Sequence, residues 1–125
     1  MKRVVLESPY RGDLVRNVIY ARRAVRDSLS KGESPSPLHL VHPQPGILDD
    51  NKPEERQWGI KAHLAWIEVC EVVVLYVDYG ISGGMREAID EAVRLKKSTI
   101  YRKIGVNPDG RQSDPTEVYF PPRSP

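Results

Sequence analysis

The feature of this sequence that most restricts its fold is the apolar run Val72–Val77, which lies between Glu71 and Asp78. Most of its residues are β-branched, and a continuous run of this kind indicates a strand covered on both faces. Strands buried in this way belong to parallel sheets that carry helices on each side. The run is also the longest apolar stretch in the chain, and its length of six residues is too short to cross a membrane.

The rest of the chain alternates between predicted strands and predicted helices. The predicted strands are Arg3–Glu7, Leu38–His42, Glu71–Asp78 and Ser98–Tyr101, and the predicted helices begin at Asp13, Pro53 and Met85. Clusters of Gly and Pro, such as Ser34–Pro37, separate these elements. This order predicts an α/β fold of the small flavodoxin-like or Rossmann-like kind, with a parallel sheet of four to five strands and helices on both faces.

The chain of 125 residues is predicted to form one domain, which covers residues 1–104. From Gly105 onward, prolines interrupt every pattern, so residues 105–125 are predicted to form a Pro-rich arm that is extended or disordered. Val118–Phe120 is the one part of this arm that is able to dock.

Composition restricts the partners that the protein can have. Nineteen basic and seventeen acidic residues give a net charge of +2, which does not favour nonspecific binding to nucleic acid. A single cysteine, Cys70, excludes an internal disulfide and a cysteine metal cluster, as is typical of a reducing compartment. His39 and His42 lack a third ligand, so no metal site is predicted. With no secretory signal or membrane span in the sequence, we expect a cytoplasmic protein without membrane contact.

The second predicted helix, from Pro53 to about Val69, has two apolar stripes. One consists of Trp58, Ala62, Ala65, Trp66 and Val69, and the other, about 180° away, consists of Ile60, Leu64 and Ile67. A helix with two apolar faces has two neighbours, so one stripe is expected to pack on the sheet and the other on a second copy of the chain. The sequence therefore predicts a homodimer or a larger homo-oligomer.

Three loops follow predicted strands and should meet at one edge of the sheet: Ser8–Gly12, His42–Asp50 and Asp78–Gly84. Ligands of such sheets bind beyond the carboxyl ends of the strands. In the third loop, Ser82, Gly83 and Gly84 open a helix, where free N–H groups can hold an anion; a simple mobile turn is the alternative. In the first loop, Tyr10 and Arg11 suit a base and a phosphate, while a structural turn is equally compatible with the sequence.

Carboxylates gather at the same edge. Asp78 ends the central strand, Glu87 lies in the first turn of the next helix, and Asp49 and Asp50 lie in the second loop. Two carboxylates in different environments can divide the nucleophile and acid roles in glycosyl transfer. The alternatives are a charge that stabilises a helix N-terminus for Glu87 and solvated loop positions for the aspartates.

The order of these motifs resembles the nucleoside 2-deoxyribosyltransferase superfamily, in particular its small phage and bacterial members. The resemblance covers roughly Arg3 to Ile104 and rests on these segments: Ser8–Gly12 after Val4-Val5-Leu6, Cys70–Asp78, and Gly80–Met85 leading to Ala92. It implies a flavodoxin-like fold, dimers or larger assemblies, and cleavage of the N-glycosidic bond of a deoxynucleoside or its monophosphate. In that superfamily a Glu on the helix after the Ser-and-Gly loop attacks the anomeric carbon.

Individual roles follow from this resemblance. Ser82 and Gly84 correspond to the loop that holds the sugar or its 5′-phosphate, Arg11 to a loop that approaches the same ligand, and Asp78 to an acidic position near the base. The position of the nucleophile corresponds to Ala88, and the nearest carboxylate is one residue earlier, at Glu87. One residue rotates a helical side chain by about 100°, so Glu87 departs from the pattern.

The sequence thus predicts a nucleoside or nucleotide N-glycosidase or deoxyribosyltransferase that uses neither a metal nor an organic cofactor. Glu87 and Asp78 are the predicted catalytic residues. The predicted ligand-binding residues are Ser8, Tyr10, Arg11, Gly12, His42, Ser82, Gly83 and Gly84. The alternatives are a noncatalytic nucleotide-binding module on the same fold and an oligomeric interaction protein.

Overall fold

The computed structural model of the protein describes residues 1–107 and 109–122. Its elements, in chain order, are β1 (Lys2–Glu7), α1 (Leu14–Ser30), β2 (Glu33–Ser36), α2 (Leu38–Val41), α3 (Pro53–Val69), β3 (Val72–Tyr76), α4 (Gly83–Arg94), β4 (Ser98–Lys103) and β5 (Thr116–Phe120). The strands form one sheet in the order β2-β1-β3-β4-β5, which is parallel apart from β5. The predicted α/β fold of Rossmann-like or flavodoxin-like type, with up to five strands, is confirmed.

Helices cover both faces of the sheet. On one face, α1 packs Tyr20 and Ala24 against alternate residues of β1 and β3. On the other face, α3 and α4 pack Ile67, Met85 and their neighbours against the residues in between. Within the described parts of the chain, no helix combines the length and the apolar character that crossing a membrane requires.

The alternation of side chains along β1 and β3 determines which side chains of the sheet pack against the helices on each face. Val4 and Leu6 of β1 face α1, whereas Val5 faces α3 and α4. Successive side chains of a strand point to opposite faces. Glu7, two residues after Val5, therefore belongs to the face of α3 and α4. By the same alternation Asp78, two residues after Tyr76, belongs to the face of α1.

The prediction of a strand at Leu38–His42 is wrong, because this segment forms the short helix α2. The strand lies earlier, at Glu33–Ser36, and overlaps the segment Ser34–Pro37 that was predicted to separate two elements. The buried carboxylate of Glu33 accepts hydrogen bonds from Ser28 at 2.8 Å and from Arg102 at 2.6 and 2.7 Å. Pro35 is opposite Val4 in the ladder, and it is tolerated there because β2 is an edge strand.

The segment after residue 104 continues the sheet. Val118–Phe120, the part of the arm that is able to dock, belongs to β5, which pairs antiparallel with β4. The Phe120 ring contacts the Tyr101 ring edge-on, with centroids 5.4 Å apart, and Glu117 pairs with Arg102. Of the arm predicted from the sequence, residues 108 and 123–125 lie outside the described residues.

The two apolar stripes of α3 have different environments. Ile67 is fully buried and Leu64 packs beside it, so the stripe of Ile60, Leu64 and Ile67 is the one that covers the sheet. The opposite stripe faces outward, where Trp58 and Trp66 are 55% and 52% exposed. The structure thus places one stripe in the core and leaves an apolar surface on the other side of the helix.

Candidate functional site

One cavity of about 240 Å³ lies beyond the carboxyl ends of β1 and β3, on the face of α3 and α4. Its walls come from the loop after β1, from α2 and α3, and from the start of α4. Most of the predicted site residues line it: Ser8, Tyr10, Arg11, His42, Ser82, Gly83, Gly84 and Glu87. The three loops therefore meet at one cavity, although the second loop follows α2 and not a strand.

Asp78 does not line this cavity, which argues against the catalytic role predicted for it. Its carboxylate is buried on the opposite face of the sheet, where it accepts a hydrogen bond from the Tyr20 hydroxyl at 2.5 Å. It also accepts the backbone N–H groups of Ile104, Gly105 and Val106 at 3.0, 3.0 and 2.7 Å. Burial would raise the pKa of Asp78, but these hydrogen bonds outweigh burial and lower it. Asp78 thus anchors the segment that leads to β5.

Gly12 is also outside the cavity. It has a φ of +99°, which a glycine adopts easily, and it lines an open cleft beside the cavity. Tyr10 and Arg11 line both spaces. Gly12 therefore shapes the turn that carries Tyr10 and Arg11 without facing the cavity itself.

The start of α4 forms one wall of the cavity. Ser82 caps this helix, because its hydroxyl accepts the N–H of Met85 at 3.3 Å. The space where side chains of Gly83 and Gly84 would begin is open, because no other part of the described chain, apart from the adjoining helix backbone, lies within 4 Å. The first N–H groups of a helix have no intrahelical acceptor and carry the positive end of its dipole. This wall can therefore receive an anion at close range.

Arg11 is held at the mouth of the cavity by Asp50. The guanidinium donates to the Asp50 carboxylate at 2.7 Å and to the Asp50 carbonyl at 2.9 Å. Behind it, the buried side chain of Asn17 donates to the carbonyls of Tyr10 and Arg11 at 3.0 and 2.9 Å. The loop backbone is thus fixed, while the guanidinium joins two of the three predicted loops.

The sequence analysis missed a carboxylate and a histidine in the cavity, Glu7 and His63. Glu7 is 2% exposed, and its Oε1 is hydrogen-bonded to Nε2 of His63. Burial raises the pKa of Glu7, and the bond and charge of His63 offset part of this rise. Burial would lower the pKa of His63, but Glu7, with a further contribution from Glu87, outweighs it and raises the pKa. The result is a carboxylate–imidazole pair that holds a proton inside the cavity.

Two further histidines line the same cavity. Nε2 of His39 lies 2.6 Å from the hydroxyl of Ser8. Burial and the nearby charge of His63 lower the pKa of His39 to about 3, so His39 is neutral at neutral pH. The same two causes lower the pKa of His42. Of these three imidazoles, His63 is therefore the one favoured to carry positive charge.

Glu87 and Ala88 occupy different places. Glu87 lies at the rim of the cavity with an exposed side chain, whereas Ala88 is buried against the core and forms part of the wall. The rotation of one residue along α4 thus separates the carboxylate from the position that the resemblance assigns to the nucleophile.

Signals for the missed pair were present in the sequence. His63 is three residues after Ile60 and four before Ile67, on the stripe of α3 that covers the sheet. Glu7 alternates with Val5 at the end of a predicted strand. Both side chains could have been assigned to the same face from these spacings.

The sequence was compared with known families and curated proteins. The family described as Domain of unknown function (DUF7768) matches residues 2–102. The chain belongs to this family. The match runs from the start of β1 to Arg102, one residue before the end of β4, and it includes every residue of the cavity, but the family description assigns no activity. No curated protein matches the sequence.

Proposed function

We propose that the cavity binds a nucleoside 5′-monophosphate or the corresponding nucleoside and cleaves its N-glycosidic bond. The observation that carries this proposal is the joint presence, in one cavity, of an anion-binding helix start and two carboxylates, Glu7 and Glu87. Cleavage of a glycosidic bond passes through a transition state with positive charge on the sugar, which nearby carboxylates stabilise.

The cavity together with the cleft beside it can hold a ligand of this class. Its volume of about 240 Å³ is slightly below the roughly 300 Å³ at which small-molecule sites begin. The neighbouring cleft shares Tyr10, Arg11 and Asp50 with it. A ligand with a compact charged part inside and a flat part toward Tyr10 fits this shape. In the proposed pose, Ser82, Gly83 and Gly84 hold the phosphate or sugar, and Tyr10 stacks on the base.

A noncatalytic nucleotide-binding module is the second candidate. The observation that favours it lies on α4, where Ala88 forms part of the cavity wall and the carboxylate of Glu87 is exposed. A pocket of this kind can still bind an anion at the start of α4. It lacks a carboxylate that α4 holds in place for catalysis.

We also propose that the protein is a homo-oligomer that associates through α3. The support is the outward stripe with Trp58 and Trp66, which forms an apolar surface on a single copy of the chain.

The test of function is incubation of the protein with a panel of deoxynucleosides and their monophosphates, followed by chromatography for released base. We expect release from at least one monophosphate, and calorimetry should show tighter binding of that monophosphate than of its nucleoside, because charge-assisted contacts are strong. Binding without release would select the module. Absence of both binding and release would refute the use of this cavity for nucleotides.

A further inference from the structure

The pair of Glu7 and His63 places a carboxylate and an imidazole among the side chains that cover the sheet. Glu7 ends β1 at 2% exposure and His63 lies on the core-facing stripe of α3. Burying an ion pair costs desolvation free energy that its attraction often fails to recover, so apolar residues at such positions are commonly as stable or more stable. The pair therefore requires an explanation other than stability, and its place in the wall of the cavity provides one.

Other titratable groups lie near the pair, and Arg11, Asp50 and Arg56 line the rest of the cavity. His63 faces Glu7 from β1 and Glu87 from α4, and the neutral imidazoles of His39 and His42 lie near it from the side of α2. Among the described residues, His63 is the hydrogen-bond partner of the Glu7 side chain. Because His63 binds one carboxylate oxygen of Glu7, the second oxygen can accept a bond from a ligand or a water molecule in the cavity.

Resting on the function proposed above, we propose that Glu7, and not Glu87, is the catalytic carboxylate, that it acts as a general base toward water, and that His63 is its positioning residue. In this step, water forms the new bond to the anomeric carbon and its proton passes to Glu7. The bond from the anomeric carbon to the base nitrogen breaks, and its electron pair stays on that nitrogen, which takes a proton from solvent at the mouth. Glu7 then returns its proton to solvent through the open mouth of the cavity, and His63 keeps its own proton throughout.

Rigidity favours Glu7 over Glu87. The backbone of Glu7 is fixed by pairing of β1 with β3, and its carboxylate by His63. Glu87 projects from the first turn of α4 with an exposed side chain. Catalytic groups act best when the surrounding protein holds them in place before the substrate arrives. The strand position satisfies this condition and the helix position does not.

The test compares Glu7→Gln with two matched variants, Glu87→Gln at the rim and Glu33→Gln in the remote buried pair with Arg102. The substrate is the monophosphate for which the wild type releases most base. Glu7→Gln should lower kcat between about 10²- and 10⁴-fold, the usual contribution of a general base, with the dissociation constant changed less than threefold. Glu87→Gln should change kcat less than tenfold. Glu33→Gln should lower the melting temperature and leave kcat unchanged.

The positioning role of His63 is tested by a pH profile. The charge and hydrogen bond of His63 lower the pKa of Glu7 against the effect of burial. In His63→Gln this contribution is lost, so the acid limb of kcat/KM should move to higher pH. A purely structural role would lower stability without moving that limb. If Glu7→Gln fails to fold, Glu7→Asp, which keeps the charge but shortens the reach, should lower kcat at least tenfold.

The outcomes separate this inference from the proposed function. If folded Glu7→Gln still releases base, the role of Glu7 is refuted but the proposed function is not. Glu7→Asp gives the same test if Glu7→Gln does not fold. Loss of release in Glu87→Gln alone would transfer the role to the helix. If the wild type releases no base from any member of the panel, both the proposed function and the role of Glu7 are refuted.

Discussion

Asp78→Asn should destabilise the protein strongly while leaving ligand binding by the folded protein unchanged. The Asp78 carboxylate accepts four hydrogen bonds from Tyr20, Ile104, Gly105 and Val106. Asparagine keeps the shape but has a single acceptor oxygen, and its NH₂ group would face two of these donors. An unsatisfied buried donor costs about 1–3 kcal/mol, so we expect a loss of about 4 kcal/mol. This is a large fraction of the roughly 5–15 kcal/mol that stabilises most domains.

Urea unfolding followed by circular dichroism measures this change. For a domain of this size, 4 kcal/mol corresponds to a fall in melting temperature of about 15 °C. Asp90→Asn, an exposed position on α4, is the matched control and should stay within about 0.5 kcal/mol of the wild type. A loss below 1 kcal/mol for Asp78→Asn would contradict the anchoring role. Loss of ligand binding with stability intact would restore Asp78 to the site.

Three further predictions concern the cavity, pH and assembly. Asp50→Asn should tighten the binding of a nucleoside monophosphate severalfold, because it weakens the contact that occupies Arg11; unchanged or weaker affinity by calorimetry would count against Arg11 as a phosphate ligand. Because the pKa of His39 falls from 6.5 to about 3 on folding, the unfolded chain takes up the proton first, and stability is lost as the pH falls below 6.5. Between pH 7 and 5 this loss is about 2 kcal/mol. In urea unfolding, the free energy of unfolding of His39→Gln should therefore fall by about 2 kcal/mol less than that of the wild type over this pH range. Equal falls in the two proteins would refute this prediction. Trp66→Glu should convert a dimer or larger assembly to monomers, as measured by light scattering, and a monomeric wild type would remove the basis of this expectation.

The central part of the fold could be predicted because its signal is local. The run Val72–Val77 is apolar throughout, and its first five residues form β3 at the middle of the sheet. The strand β2 could not be found in this way. Its sequence, Glu33–Ser36, has no apolar residue apart from Pro35, and its place depends on the distant Arg102, which only the folded chain brings to Glu33. The short segment Leu38–His42 is compatible with a strand or a helix on pattern alone.

The loops around the site could be predicted from the sequence. The face of the sheet toward which a single side chain points could also have been predicted, but for Asp78 it was not. Ser8–Gly12 and Asp78–Gly84 follow adjacent parallel strands, so their meeting follows from topology. Asp78 was assigned to the site from its position at a strand end, although its alternation with Tyr76 directs it to the other face. The sequence showed that the carboxylate of Glu87 is one residue before the position expected for the nucleophile, Ala88. The structure shows where each of these side chains lies.

The prolines of the edge strand limit how this protein can add to itself. Pro35 lies in β2 and Pro37 follows the strand directly, at the start of α2, and neither has an N–H to donate. Because β2 is an edge strand that contains a proline, a strand from another molecule finds fewer backbone donors along it. The opposite edge, β5, is a complete strand. Two copies joined edge to edge through β5 would leave only the proline edges free, so growth through the sheet stops at two molecules rather than continuing into fibres.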